Sequence, residues 1–453
     1  MTDAMEPRNP NVIHEGDTVI CQTSDDRMFF QPMNKDETIR VGKKLTSVRP
    51  VFGAFYGSIF EVQNKKLTRV DGGLFPDPVA PETGESFVPD SDNRSYADTN
   101  SAQKLSAKEI HGLREEGASG QEIIKALVEN SETWDAKTEF SKQKYLKKKQ
   151  QKYMPRVRFL KCTAESLCRT YRLKNPSKIL NMREDTLGQI LAYANIHAKA
   201  QVLVVDTVMG LVTGAIAERQ AGLGRILAPH DGPHPSADIL RRWNFDKKTR
   251  ESMHFFSFKN VALLTKKEED IPDPEPERNE VTPEEAKRLE AERLSQYTEE
   301  ERRAYQEKKA KKRANKITRQ PIRQVREWVR QKSDALVIAC DFDPERVLMA
   351  LLPYLHCSKP FVIYSEYMEP LTKIFDKLQK MDAIIDLQLN ETWTREYQVL
   401  PGRTHPEMKM NACSGYLLTG IKINEVVANP DALAAMSDVA EKPAKRAKTE
   451  EST

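Results

Sequence analysis

No apolar run in the chain approaches the roughly 20 residues that span a bilayer, so a membrane-spanning helix is not expected. The amino terminus, MTDAMEPRNPNVIHEG, lacks an apolar stretch behind a basic start, so no signal peptide is expected and a reducing compartment follows. The six cysteines (Cys21, Cys162, Cys168, Cys340, Cys357, Cys413) include no Cys-x-x-Cys pair and none at zinc-finger spacing, so they read as small buried hydrophobes. The eight histidines form no ligand pattern; His230 and His234 are close but flanked by Pro229, Pro233 and Pro235, which makes a turn rather than a metal site. No internal repeat is present. A net charge of +4 over 453 residues says nothing about partners, because sign matters only where it is concentrated.

What is present falls into segments. From Asp17 to Val70 the runs DTVICQT, RMFFQ, ETIRV, RPVFGAFYGSIFEV and KKLTRV read as short strands, and their close spacing predicts a small β-barrel over 11–72. Residues 73–103 are a Pro/Ser/Asp-rich linker, and 104–160 a helical, Lys-rich connecting region. Within it SAKEIHGLREEGA and SGQEIIKALVENS are helix-like, the second opened by Ser119 as N-cap with Glu122 three residues on. Between positions 142 and 161 stand nine Lys or Arg and no acid; the helical part ends near Met154, because Pro155 disfavours helical geometry in the residue before it.

Beyond 161 apolar strands alternate with helices. Strands are expected near 201 (QVLVVD), 224 (GRILAP), 260 (NVALLT), 335 (ALVIACD), 361 (PFVIYSE), 383 and 415, with helices between the first six, SADILRRW among them. A stretch at 266–316 with 15 acidic and 14 basic residues interrupts the pattern and reads as a solvated insertion. The fold class is therefore α/β with an all-β N-terminal domain, and the order of elements over 161–430 is that of a class I methyltransferase (Rossmann-like) fold. Residues 431–453 form a disordered basic tail.

In such a fold the cofactor lies at the carboxyl end of the first strand, and working enzymes have a turn resembling acid-x-Gly-x-Gly-x-Gly so that backbone can approach the ligand. Residues 206–214 read DTVMGLVTG: Asp206, Gly210 and Gly214 stand, but Val208 and Val212 replace glycines and should fill or stiffen the pocket. The domain is read as degenerate and the methyl donor as unbound. After the second strand Asp231 arrives late, behind Pro229, and either shifts into place as a ribose acceptor or leaves none. Asp341-Phe342-Asp343-Pro344 resembles the Asp-x-x-Pro turn that holds a target amine, but also fits ordinary helix entry with Asp343 as N-cap.

The acid-free block supplies the RNA candidates Lys142, Lys144, Lys147, Lys148, Lys149, Lys152, Arg156 and Arg158, because clustered cations neutralise phosphates and release counterions. Tyr145, Tyr153 and Phe159 are interleaved for stacking on an unpaired base. A solvated helix face or an import signal is the plain alternative.

FSKQKYLKKKQQKY, QVLVVDTVMGLVTGAIAER, PFVIYSEYMEPL and REYQVLPGRTHPEMKM with SGYLLTG together resemble the non-catalytic subunit of the eukaryotic tRNA (adenine-58-N1)-methyltransferase. The resemblance implies a β-barrel joined to a degenerate methyltransferase fold with no cofactor of its own. It implies a homologous catalytic partner that carries S-adenosylmethionine, a heterotetramer of two such pairs, and tRNA as ligand. Arg403, between the last two strands, is a further candidate, either touching tRNA phosphate or propping the partner's active site, or else paired with Glu407. Lys442, Lys445, Arg446 and Lys448 in the tail resemble a nuclear localisation signal. Two other readings stay open: an active S-adenosylmethionine-dependent RNA methyltransferase, and a non-enzymatic RNA-binding translation factor.

Overall fold

The computed structural model describes residues 9–74, 103–261 and 321–428, apart from 43, 64–65, 116–117, 135–136, 138, 233, 259–260 and 400–403, together with single positions between 288 and 305. The tail and almost all of the charged insertion and the linker lie outside the described residues. The chain divides into two compact units, Met1–Cys162 and Thr163–Thr453.

The first unit opens with β1 (Thr18–Thr23), β2 (Met28–Pro32), β3 (Thr38–Val41), β4 (Lys44–Ser47), β5 (Ile59–Gln63) and β6 (Lys66–Val70). Three helices follow, α1 (Ala107–Glu115), α2 (Gly120–Glu129) and α3 (Glu139–Tyr153), and then β7 (Arg156–Lys161). The sheet order is β2-β1-β7-β5-β6, with β3 and β4 a separate hairpin. The end of the Lys-rich region is therefore not a connector: β7 is the middle strand of the N-terminal sheet, and the helices are an excursion between two of its strands. Val157 and Phe159 enter the core with Phe60, Val62, Leu67, Val19 and Cys21, and Phe60 meets Phe159 edge to face at 5.5 Å. The Arg156 guanidinium is enclosed between the Glu61 carboxylate (3.0 Å) and the Gly73 carbonyl (3.0 Å). The expected capping box is formed: Ser119 Oγ accepts from Glu122 N and the Glu122 carboxylate accepts from Ser119 N, which satisfies two otherwise orphaned donors.

The second unit runs α4 (Ala164–Lys174), α5 (Glu184–Tyr193), β8 (Gln201–Asp206), α6 (Leu211–Gln220), β9 (Arg225–His230), α7 (Lys247–Glu251), β10 (Met253–Ser257), α8 (Ile322–Arg330), β11 (Ala335–Ala339), α9 (Pro344–Leu351), β12 (Lys359–Ser365), α10 (Met368–Gln379), β13 (Ile384–Trp393), β14 (Tyr397–Gln398), β15 (His405–Pro406) and β16 (Cys413–Lys422). Its sheet has the order β10-β9-β8-β11-β12-β16-β13, parallel except for β16, which runs antiparallel to both neighbours. That is the mostly parallel sheet with an antiparallel pair at one edge expected from the sequence. Because side chains alternate along a strand, Leu203, Val205, Leu336, Ile338, Phe361 and Ile363 face the layer of α8, α9 and α10, while α5 and α6 pack on the other side.

Two elements differ from expectation. The third strand is MHFFS, paired in parallel with β9; Val261 of NVALLT lies in a turn and the rest of that run lies outside the described residues. SADILRRW forms only a 3-10 turn, Asp238–Arg242, because the next residue, Trp243, inserts against Gly214, where a β-carbon would collide with the indole. Among the described residues no helix is long and apolar enough to cross a membrane. Of the six free thiols, four are buried and Cys357 and Cys413 are half-exposed.

His254 on β10 packs its ring 4.5 Å from Trp328, and the Arg225 guanidinium lies 4.5 Å from the same indole. Burial first and then the Arg225 charge push the imidazole pKa down to about 4. The unfolded chain takes up this proton near pH 6.5, so the contribution is complete above that pH and is lost as the pH falls to about 4. Urea unfolding near pH 7.5 and near pH 4.5 should show His254→Leu losing less stability across that interval than the native chain; an equal loss would mean that the folded ring accepts the proton.

Candidate functional site

The turn after β8 keeps the shape of a cofactor loop without its space. Asp206, partly buried at the strand end, accepts through Oδ1 from Val208 N (2.9 Å) and Gly210 N (3.1 Å), and through Oδ2 from Thr213 N (2.8 Å) and Thr213 Oγ1 (2.9 Å). Burial raises its pKa, and these four donors pull in the opposite direction. The acid thus organises its own loop. Met209 and Gly210 both adopt left-handed geometry, φ +60° and +82°, which only the glycine tolerates without strain.

Val208 and Val212 have no exposed surface, so no crevice reaches them. The space before the turn is closed by the segment that follows β9. Ile239 N donates to Met209 O at 3.1 Å, and a β-carbon on Gly210 would lie 3.0 Å from Leu240 Cγ and 3.1 Å from Ala237 Cα. Trp243 holds that segment down, seated on Gly214 with Nε1 donating to the Glu218 carboxylate at 3.0 Å. Asp231 Oδ1 accepts from Gly232 N at 2.7 Å within its own turn. A sulfonium nucleotide does not fit here. The sequence pointed to the two valines; the plug at 237–240 carried no comparable signal.

At the end of β11, Asp343 Oδ1 accepts from Glu345 N (3.1 Å) and Pro344 is the first residue of α9, the helix-entry chemistry. Asp341 N donates to Thr207 Oγ1, which ties this turn to the first one.

The basic block splits in two. On α3, Leu146, Gln150 and Tyr153 are buried, and Leu146 and Tyr153 share a core with Ile123, Ile124 and Leu127 of α2. Lys144, Lys147, Lys148 and Lys152 are exposed, while Lys142 and Lys149 are half-buried. Lys144, Lys148 and Lys152 recur every fourth residue and so share one stripe. Like charges at that spacing each cost the helix a few tenths of a kcal/mol, which an anion would offset. Arg156 is not part of this surface, being enclosed by Glu61, and Arg158 is half-buried in the sheet opposite Gln22 and Ile59. Tyr153 and Phe159 are enclosed and cannot stack on a base; Tyr145 is half-exposed, with Lys137 and Lys149 each 4.9 Å from its ring centre and Trp134 at 5.8 Å. Lys137 and Trp134, outside the acid-free block, were not singled out from the sequence. Arg403 lies outside the described residues; the β14–β15 hairpin brackets it, and Glu407 N donates to Glu396 O.

Replacing Asp206 by Ala strips one acceptor from four donors at a buried turn and should cost about 3 kcal/mol in denaturant unfolding. A loss below about 1 kcal/mol would show that the loop holds its shape without the acid.

A family model described as the Gcd10p family matches residues 12–290. The tRNA (adenine(58)-N(1))-methyltransferase non-catalytic subunit of Dictyostelium discoideum is 36% identical over 426 residues, covering 92% of this chain and 80% of that protein. The protein of the same name from Mus musculus is 31% identical over 451 residues, covering 92% and 90%. Among solved structures, the tRNA (m1A58) methyltransferase TrmI from Aquifex aeolicus matches with a TM-score of 0.43 and 13% identity, covering 91% of this chain and 100% of that one. With the family model spanning more than half of its length and relatives above 30% identity across 92% of it, this chain belongs to the Gcd10p family.

Proposed function

We propose that the chain is the non-catalytic subunit of a tRNA N1-methyladenosine methyltransferase complex acting at position 58 in the T-loop. It binds and positions tRNA and supports a homologous subunit that carries S-adenosylmethionine. The observation that carries this reading is the closed turn after β8: the mostly parallel sheet is retained while Ala237, Ile239 and Leu240 lie against Met209 and Gly210. The names of the relatives support the same assignment. The complex is a heterotetramer of two heterodimers, and the tail lysines and Arg446 serve as a nuclear address. Arg403, in the connection between the last two strands, touches tRNA phosphate or props the partner's active site. The N-terminal sheet closes into a small barrel by means of the β3–β4 hairpin, a closure supported by the bond from Lys44 Nζ to Val62 O at 3.3 Å.

Titration calorimetry of the isolated chain with S-adenosylmethionine should register no uptake. Co-expression with the catalytic subunit should give a complex that binds the donor and methylates unmodified tRNA. Tight one-to-one uptake by the chain alone would overturn the assignment.

Replacing Lys144, Lys147, Lys148 and Lys152 together by Gln should weaken tRNA binding by the complex on the order of 100-fold at moderate salt, and should flatten the dependence of log affinity on log salt by about 0.9 for each phosphate that is no longer neutralised. An unchanged slope would remove the helix from the RNA surface.

A further inference from the structure

The half-exposed ring of Tyr145 gathers cations instead of offering itself to a base. Lys137 Nζ and Lys149 Nζ both lie 4.9 Å from its centroid, Trp134 meets it edge-on at 5.8 Å, and Lys142 Nζ stands 5.9 Å from the Trp134 ring. Three ammonium groups are thus collected on two touching aromatic side chains. Lys137 N also donates to Trp134 O at 3.2 Å. Among the described residues no carboxylate pairs with Lys137, Lys142 or Lys149. The negative faces of the rings attract the ammonium groups and hold the lysines in place. Burial first, then Lys152 and Lys137, lower the Lys149 pKa, so the cluster carries repulsion that a bound anion would relieve.

We propose that Lys137, Lys142 and Lys149, positioned by Tyr145 and Trp134, form a clamp for an RNA phosphodiester, adjoining the exposed lysine stripe of α3. The inference rests on the tRNA-binding reading given above and sharpens it: Tyr145 is a positioning residue, and Lys137 is a phosphate ligand that belongs to no acid-free run. Mobile lysines lose rotamer freedom when they bind phosphate, whereas lysines already seated on a ring have lost much of it beforehand. An acidic protein segment is the other polyanion such a cluster would suit; an RNA backbone is favoured because the neighbouring Lys144, Lys148 and Lys152 extend the same sign of charge along a straight helix edge.

The test uses the full chain in complex with its catalytic subunit, with tRNA affinity measured across a salt series. Tyr145→Leu and Lys137→Gln should each weaken binding about 5- to 10-fold. Lys137→Gln should also reduce the salt slope by about 0.9, and Tyr145→Phe, which keeps the ring, should bind as the native chain does. Native affinity and slope in both Tyr145→Leu and Lys137→Gln, alongside a loss in Lys144→Gln/Lys148→Gln, would overturn the clamp and leave the lysine helix as the RNA surface. No change in any of these variants would overturn both. If Tyr145→Leu fails to fold, Lys137→Gln decides alone. Loss of subunit association with unaltered tRNA affinity would assign the cluster to a protein segment and overturn the inference.

Discussion

The Asp206 carboxylate is the constraint on which the second unit's arrangement depends. By accepting from three backbone N–H groups and one hydroxyl of the same turn, it forces the chain to reverse sharply between β8 and α6. That reversal places Gly210 against Leu240 and Gly214 against Trp243, and so decides where the segment after β9 comes to rest. A residue type that elsewhere serves a ligand is here spent on the loop itself. Thr207 continues the same order, receiving the Asp341 N–H and donating its own to Ala339 O, so that the ends of β8 and β11 are fastened together.

In the first unit two contacts fix the helical excursion between β6 and β7. The capping box sets the start of α2, and the buried Arg156–Glu61 pair fixes the chain where α3 returns to the sheet. A buried ion pair adds little net stability, but breaking one partner leaves an uncompensated charge, so it specifies where the strand must lie. The lysine helix is therefore a braced element, packed on α2 through Leu146 and Tyr153 and leading directly into β7.

Much of this was legible in the residues. QVLVVD, ALVIACD and PFVIYSE are continuous apolar runs, and strands buried on both faces have no other way to be written. Ser119 with Glu122, and Asp343 with Pro344, announce helix starts through local chemistry alone. What was not legible depends on distant partners. Arg156 looks like one more surface cation until Glu61, 95 positions earlier, is brought beside it. MHFFS hides its strand character behind a histidine that a tryptophan on α8 covers. The plug at 237–240 is helix-like in pattern; its role follows only once Met209 and Gly210, on the turn after β8, are brought against it. Lys137 sits among acids in sequence and among lysines in space.

The seating of Trp243 on Gly214 acts as a ratchet on the history of this fold. Once the indole occupies the groove beside α6, putting glycines back at 208 and 212 would open voids beneath the turn without clearing the side chains in front of it. Several coordinated changes in separate segments would have to precede any recovery of the donor site, and each taken singly would cost packing. A subunit closed in this manner is committed to division of labour, and selection on it acts through whatever it holds for its partner.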